Sequence, residues 1–368
     1  MADPFGGCYD RRMNQQNMMP FLQAIAAAGL FGISAPIAKL FLGEVEPIIL
    51  AAFLYLGSGL GLLLLKGWQR LGGTAVPPET PIGKEDIPWL AGAILAGGIA
   101  APIVLLFSLR ETAAGTASLL LNFEGVATTL IAALAFKEAV TRRAWIAILV
   151  ITSATILLSY SPSSSWGFSF GALGILLACV LWGIDNNFTR NISAKDPLTI
   201  VILKGLVAGL FSLLLALLLG NKVPGWTTIL GAMLLGSLSY GLSITLFIRG
   251  MRHLGAARTS ALFSTAPIAG VLLSLLLFSE KPGLLFLLAL PLMIGGAIFL
   301  VNEEHSHYHA HSATFHDHWH RHHENHHTHD HAEGTDQAHA HPHQHEPIAH
   351  EHHHLPDITH RHIHDESE

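Results

Sequence analysis

Three ionisable residues lie deep inside apolar runs. Glu124 sits in "SLLLNFEGVATTLIAALAF", Asp185 in "WGIDNNFTR" and Lys204 in "PLTIVILKGLVAGLF". Asn122, Asn186 and Asn187 stand beside them. If these runs cross a membrane, each charge is costly. A charge at the bilayer centre costs about 2.5–3.5 kcal/mol on insertion scales, and more in other treatments. Such groups face a bundle interior and find partners. The runs holding Asp185 and Lys204 are consecutive and antiparallel, so these two are the preferred ion pair. Glu124 is then left near mid-membrane without an obvious partner. A buried carboxylate avoids the cost of ionisation by holding its proton. It can take up a proton from one side and release it on the other, or lose it when a cationic solute arrives. Two blander readings stand beside these. Glu124 can be a packing group hydrogen-bonded to Asn122 or a neighbouring helix. Asp185, Asn186 and Asn187 can be a polar helix end near water, and Lys204 can snorkel to the interface.

A second chemistry sits at the carboxyl end. Of the 25 histidines, 24 lie at or beyond His305, and the other is His253. The densest candidates are His305, His307, His309, His311, His316, His318, His320, His322, His323, His326, His327, His329, His331, His352, His353 and His354. Neutral imidazole suits Ni, Co, Zn and Cu. Closely spaced H-x-H pairs offer many overlapping chelates rather than one fixed cage. The segment also carries 11 acidic residues against 2 basic ones, which attracts cations. It is polar and poor in aliphatics, so it is expected to be disordered. The alternative is a polyelectrolyte that gains charge as pH falls through about 6.5. Metal as cargo and metal as signal both remain open. The body offers one histidine, His253, expected in a loop, and one buried cysteine, Cys179. That set does not make tetrahedral zinc. Oxygen-rich coordination by Glu124, Asp185, Asn186 and Asn187 would suit Ni²⁺ or Co²⁺ better. Otherwise the pore moves an organic solute while the tail senses or buffers metal. A tethered buffer that transports nothing is a third class.

The elements that must position these groups follow from hydropathy. The chain has 368 residues, 51% of them hydrophobic and 12% charged, with mean hydropathy +0.45. That is too apolar for an ordinary soluble domain. Runs of about 20 apolar residues read as spanning helices. Ten are expected, near 18–38, 47–65, 88–109, 115–136, 144–160, 168–189, 197–219, 226–248, 259–278 and 283–301. They are apolar all round rather than striped, which argues for an all-α membrane protein. With the amino terminus in the cytoplasm, 13 Lys and Arg fall in inside segments and 4 in outside ones. That bias places both termini in the cytoplasm of an inner-membrane protein. The two cysteines, Cys8 and Cys179, make no disulfide framework. No Ser/His/Asp set, phosphate loop or cofactor motif points to an enzyme, no cofactor is required, and nucleic acid is not an expected partner. The bilayer is, together with a small solute or metal ion, and a homodimer is compatible with such a bundle.

The chain also repeats itself. "FGISAPIAK" (31–39) closes the first run and "WGIDNNFTR" (182–190) the sixth. "SLRETAAGTASLL" (108–120) matches "GMRHLGAARTSAL" (250–262), and "AFKE" ending at Glu138 matches "LFSE" ending at Glu280. Five spans separate the copies, so the second is inverted in the membrane. Inverted repeats commonly place a transport site near the midplane between the halves. Gly32, Gly183, Pro36 and Pro267 read as close-approach and kink positions, and Glu138 and Glu280 as structural helix ends.

A 5+5 repeat with an aromatic-Gly pair and a basic end in each first helix resembles the drug/metabolite transporter superfamily, EamA type. The fourth and ninth helices running into "FKE" and "FSE" are similar to that family too. The resemblance covers about residues 20–301 and implies a secondary transporter of small solutes. Substrates across the family range from amino acids to drugs and metals. Where the family usually has a proline in the fourth helix, this chain has Glu124, while the ninth keeps Pro267 in "STAPIAG". The His-rich tail is similar to those of a smaller subset. The expected organisation is a lead at 1–17, repeats at 18–160 and 161–301, and a metal-binding tail at 302–368. The expected function is a proton-coupled exporter of a small metabolite or drug-like solute, with divalent metal efflux as the alternative.

Overall fold

The computed structural model describes residues 6–71, 80–136, 142–160, 168–278, 282–301, 305–311, 314–320, 339–345 and 348–354. Helices follow one another in the order α1 (Gly6–Gly32), α2 (Ser34–Phe41), α3 (Pro47–Leu71), α4 (Ile87–Ala93), α5 (Ala101–Glu111), α6 (Ala114–Leu120) and α7 (Phe123–Phe136). Then come α8 (Arg142–Ser159), α9 (Phe170–Asn191), α10 (Pro197–Leu218), α11 (Trp226–Leu235), α12 (Ser243–Phe263), α13 (Ala266–Phe278) and α14 (Leu284–Val301). Seven of the described segments are long and apolar enough to cross a membrane: Met19–Phe41, Pro47–Gln69, Lys84–Glu111, Ala114–Phe136, Phe170–Asn191, Pro197–Leu218 and Trp226–Met251. Three shorter apolar helices, Trp145–Ser159, Ala266–Phe278 and Leu284–Gly296, supply the remaining expected spans. Leu64, Leu134, Leu214, Leu230 and Leu276 lie exposed on the outside of the bundle, as lipid-facing side chains do.

Two boundaries differ from the sequence reading. The first helix starts at Gly6, so the lead is helical from there on. The stretch around His253, expected as a loop, lies inside α12. Both stretches lack proline except Pro20 and are rich in Arg, Met, Gln, Leu and Ala, which all extend helices well. Glu138 and Glu280 lie outside the described residues.

The inverted repeat is visible in the packing. α10 lies along α3, α8 along α14 and α6 along α13, so three pairs of equivalent spans meet each other. α5 packs on α9 and α12 on α1, which are counterparts under the same exchange. A widened helical turn with an extra residue interrupts the third span at Ile94–Ala100 and the eighth at Gly236–Leu242, 142 residues on. Such π-type turns are rare and mark functional or strained positions. The repeat-equivalent aromatics Phe31 and Trp182 touch edge to face at 5.8 Å, so the two halves join through them.

Small residues set the central seam. Gly205 and Gly209 form a G-x-x-x-G on α10. A Cβ at Gly205 would come within 2.8 Å of the Gly59 Cα and the Tyr55 carbonyl oxygen of α3. Without a hydrophobic drive between helices in lipid, this close backbone approach supplies the attraction.

Polar pairs mark the two ends of the bundle. At one end Arg110 pairs with Glu46 at 3.1 Å and donates to the Val45 carbonyl, while Lys39 donates to the carbonyls of Leu109 and Thr112. At the other, Lys66 meets Asp196 at 2.6 Å and Lys195 meets Asp86 at 3.6 Å. Asp196 also caps α10 by accepting from the Leu198 N–H at 3.0 Å. Burial alone would raise the Asp196 carboxyl, but hydrogen bonds from Lys66 and Thr199 outweigh it and hold it below the usual carboxylate range. A lowered native pKa stabilises the fold above the unfolded value near about 3.9, and the gain is lost as pH falls through the native value. Asp196→Ala is therefore expected to lower stability near neutral pH by about 0.5–2 kcal/mol from the lost cap. The gap from the unaltered protein should close in strong acid, as read by unfolding midpoints across pH.

In the tail, expected to lack regular structure, four segments are extended: β1 (His305–His311), β2 (Thr314–His320), β3 (His339–His345) and β4 (Ile348–His354). β1 pairs antiparallel with β4, and β2 with β3. The H-x-H alternation has a period of two, which is the period of a strand.

Candidate functional site

Two of the spans are broken at the centre of the bundle. The fourth is interrupted at residues 121–122 between α6 and α7, and the ninth at residues 264–265 between α12 and α13. At both breaks the chain tightens into bonds three residues back. The Asn122 N–H donates to Leu119 O at 3.0 Å, the Glu124 N–H to Leu121 O at 3.1 Å and the Thr265 N–H to Leu262 O at 3.1 Å. The local sequence explains each break. Asn122 is a poor helix former. The Thr265 hydroxyl competes for the Leu262 carbonyl at 2.7 Å, and Pro267 cannot donate to the turn before it. The two breaks are close: a Cβ on Gly125 would lie 3.2 Å from Ser264 Oγ. Gly32 lets the first span in beside them, because a Cβ there would collide with the Ala266 carbonyl.

Between these elements lies a cavity of about 460 Å³, counting its open mouth. Phe31 and Gly32 of α1, Ser118 of α6, and Leu121 and Asn122 at the break line one part. Glu124, Gly125 and Thr128 of α7 and Asn186 of α9 line another. Phe247, Phe263, Ser264, Ala266 and Pro267 close it. Phe263 joins the rings, 5.1 Å from Phe31 and 4.8 Å from Phe247 between centroids. Among the described lining residues, Glu124 alone is ionisable.

The carboxylate of Glu124 has a partner the sequence reading did not assign. Asn186 Nδ2 donates to Glu124 Oε1 at 2.9 Å and lies 3.2 Å from the Thr128 hydroxyl. Asn122 does not serve Glu124. Its NH₂ is turned to Met293 of α14, 3.5 Å from the carbonyl and 3.6 Å from the sulfur. Both of those neighbours are acceptors, which fixes the amide orientation. Asn122 Oδ1 is then buried with no donor.

The remaining candidates sit elsewhere. Lys204 is bound to Asp185, as expected for consecutive helices, and both are buried. Thr189 also donates to Asp185 Oδ1 at 3.0 Å. Asp185 rests on Gly97 in the widened turn of the third span, where no side chain would fit. The Gly97 carbonyl accepts from Tyr55 at 2.6 Å and Trp182 at 3.1 Å. Asn187 donates to the carbonyls of Thr128 at 3.0 Å and Gly183 at 2.8 Å. Asp185, Asn187 and Lys204 therefore hold helices together and do not line the cavity. Among the described residues, no three His, Cys, Asp or Glu side chains are gathered as a metal cage. The oxygen-rich set of Glu124, Asp185, Asn186 and Asn187 is divided between two separate networks.

The sequence reading missed the phenylalanines Phe31, Phe247 and Phe263. Phe31 heads the repeat motif "FGISAPIAK", but nothing in the local sequence distinguishes Phe247 and Phe263 from lipid-facing phenylalanines. The tail histidines His322, His323, His326, His327, His329 and His331 lie outside the described residues. In the described ladders, His305 stands opposite His354, His307 opposite His352 and His309 opposite His350. His316 stands opposite His343, His318 opposite His341 and His320 opposite His339. The strand partners His339, His341, His343 and His350 were not among the expected ligands, although their own H-x-H spacing marks them.

Comparison with known proteins agrees with a bundle built from two similar halves. One relative, described as an uncharacterized transporter from Methanothermobacter thermautotrophicus, is 26% identical over 290 residues, covering 74% of this chain and 83% of the relative. A solved crystal structure matches the fold with a TM-score of 0.57 at 20% identity, covering 76% of this chain and 94% of that one. The family profile described as "EamA-like transporter family" matches residues 18–160 and again 169–302, one match on each half of the bundle. With both halves of the bundle matched, the chain belongs to the EamA-like transporters.

Proposed function

We propose that this transporter is a proton-coupled exporter in which Glu124 exchanges a proton for its solute. One observation carries the reading: among the described residues Glu124 is the only ionisable side chain lining the central cavity, while Asp185 and Lys204 neutralise each other. Besides Asp185 and Lys204, the ionisable groups near it among the described residues are Cys179, Tyr55 and Tyr240. Thiols and phenols are ordinarily uncharged near neutral pH, so Glu124 is the group free to change its charge. Asn186 can donate to either protonation state and holds the carboxyl at the cavity wall. The lysine and arginine bias favours an inner-membrane orientation with both termini in the cytoplasm. The solute is an organic metabolite or drug-like compound, because the cavity is lined by phenylalanines and, among the described residues, by one carboxylate.

The tail is a cytoplasmic appendage that binds Ni²⁺, Co²⁺, Zn²⁺ or Cu²⁺. The dense H-x-H spacing and the 11 acidic residues of the tail support this. Cellular metal content in an efflux-deficient host, loaded with Ni²⁺, Co²⁺ or Zn²⁺, separates cargo from signal. The comparison uses the intact chain, a truncation ending at Glu304 and Glu124→Gln at matched membrane levels. Metal content that follows the tail and ignores Glu124 is expected. Metal lowered by the intact chain and restored in Glu124→Gln would make metal the cargo instead.

A further inference from the structure

The cavity is closed toward one end of the bundle. Ser118 is its described lining residue nearest the end that bears Lys39 and Arg110. There the first, fourth and ninth spans meet with no room for another side chain. A Cβ on Gly270 would lie 2.5 Å from Ser118 Oγ and 2.7 Å from the Gly32 carbonyl oxygen. A Cβ on Gly32 would collide with the Ala266 carbonyl. Beyond this contact Ala35 of α2, Ala114 and Ala117 of α6, and Val271 and Ser274 of α13 are buried. On its other side Glu124, Thr128 and Asn186 keep partial exposure. The other copy of the repeat differs at this contact. The spacing of 142 residues that relates "SLRETAAGTASLL" to "GMRHLGAARTSAL" pairs Gly270 with Thr128. Thr128 lines the cavity, so a side chain stands where Gly270 has none.

Lys39 ties the closed end together. It stands in the last turn of α2, about two helical turns beyond Gly32. Its Nζ donates to the Leu109 carbonyl at 2.8 Å and to the Thr112 carbonyl, both at the carboxyl end of α5. The last carbonyls of a helix have no partner within it and carry the negative end of its dipole. One ammonium thus joins the first span to the turn between the third and fourth.

We propose that Gly32, Ser118 and Gly270 form a gate across the solute path and that Lys39 is its latch. For solute to pass the Lys39 end of the bundle, the first span leaves α6 and α13, and both lysine hydrogen bonds break. Lys39 is a positioning residue: it holds the helices of the gate and does not line the cavity. The inference concerns which end is closed and what closes it, and it does not depend on Glu124 or on proton coupling.

The test is thiol labelling of the full chain in sealed membrane vesicles. Cys8→Ser and Cys179→Ser clear the background, and Thr128→Cys is the reporter in the cavity. A membrane-impermeant maleimide is applied to one face or the other, without solute or pH gradient. With Lys39 intact, labelling from the face bearing Lys66 and Lys195 should be the faster. Lys39→Met should speed labelling from the Lys39 face by about 10-fold, the effect expected for losing a charged hydrogen bond. Lys39→Arg keeps a cation and its donors and should label at the parental rate. Gly270→Ala leaves Lys39 in place and should also speed labelling from the Lys39 face, because the added methyl holds the three spans apart. That variant reads the gate whether or not Lys39→Met folds. Labelling from the Lys39 face as fast as from the other, with Lys39 intact, overturns the closed gate, and so does parental labelling in Gly270→Ala. Parental labelling in Lys39→Met, or Lys39→Arg labelling as fast as Lys39→Met, overturns the latch.

Discussion

In proteoliposomes with an imposed pH gradient, Glu124→Gln is expected to reduce driven solute movement to the level of protein-free vesicles. Exchange of labelled for unlabelled solute without a gradient should respond differently, because it needs binding and helix movement but no proton. Glutamine keeps the shape and the hydrogen-bonding capacity of a protonated glutamate, and Asn186 can still donate to its carbonyl oxygen. The substitution therefore removes the titration and leaves most of the packing around α7. A fold defect is distinguished by the unfolding midpoint, which should change little. Driven movement in Glu124→Gln equal to that of the unaltered protein would leave Glu124 a packing residue.

The second large effect lies in the buried ion pair. Lys204→Met strands the Asp185 carboxylate in a buried setting where only Thr189 remains as a donor. Breaking a buried pair by removing one member destabilises by about 3–5 kcal/mol, because the remaining charge is uncompensated. The double substitution Asp185→Asn with Lys204→Met should recover most of that loss, since no charge is left to strand. Asparagine suits the site because Gly97 leaves no room for a bulkier side chain. Reversible unfolding in mixed micelles measures all three variants. A single variant as stable as the parent would mean that Lys204 contributes nothing to the fold. A double variant no better than the single one would mean that the hydrogen bonds, rather than charge balance, dominate.

The fold was legible because its signals are long-range and redundant. Apolar runs of bilayer length, basic loops on one side and matched motifs such as "FGISAPIAK" and "WGIDNNFTR" all point to one architecture. The Asp185–Lys204 pair was legible from charge balance and the adjacency of consecutive helices. The cavity was only half legible. Glu124 stood out because a carboxylate in an apolar run is costly, but its partner Asn186 could not be chosen over Asn122 without the helix rotation. Asn122 is two residues away along the chain, yet the break at residues 121–122 turns it toward Met293. Phe247 and Phe263 were hidden for the opposite reason. In a lipid-soluble helix, apolar residues face both lipid and protein, so hydropathy carries no information about direction.

The central claim is that Glu124 trades a proton for the solute, and proton release tests it most directly. The solubilised protein would be mixed in turn with members of a panel of organic metabolites and drug-like compounds in weak buffer, with a pH indicator reporting free protons. The account predicts release on binding by the unaltered protein and none from Glu124→Gln. Binding without proton release, or equal release from Glu124→Gln, would contradict it.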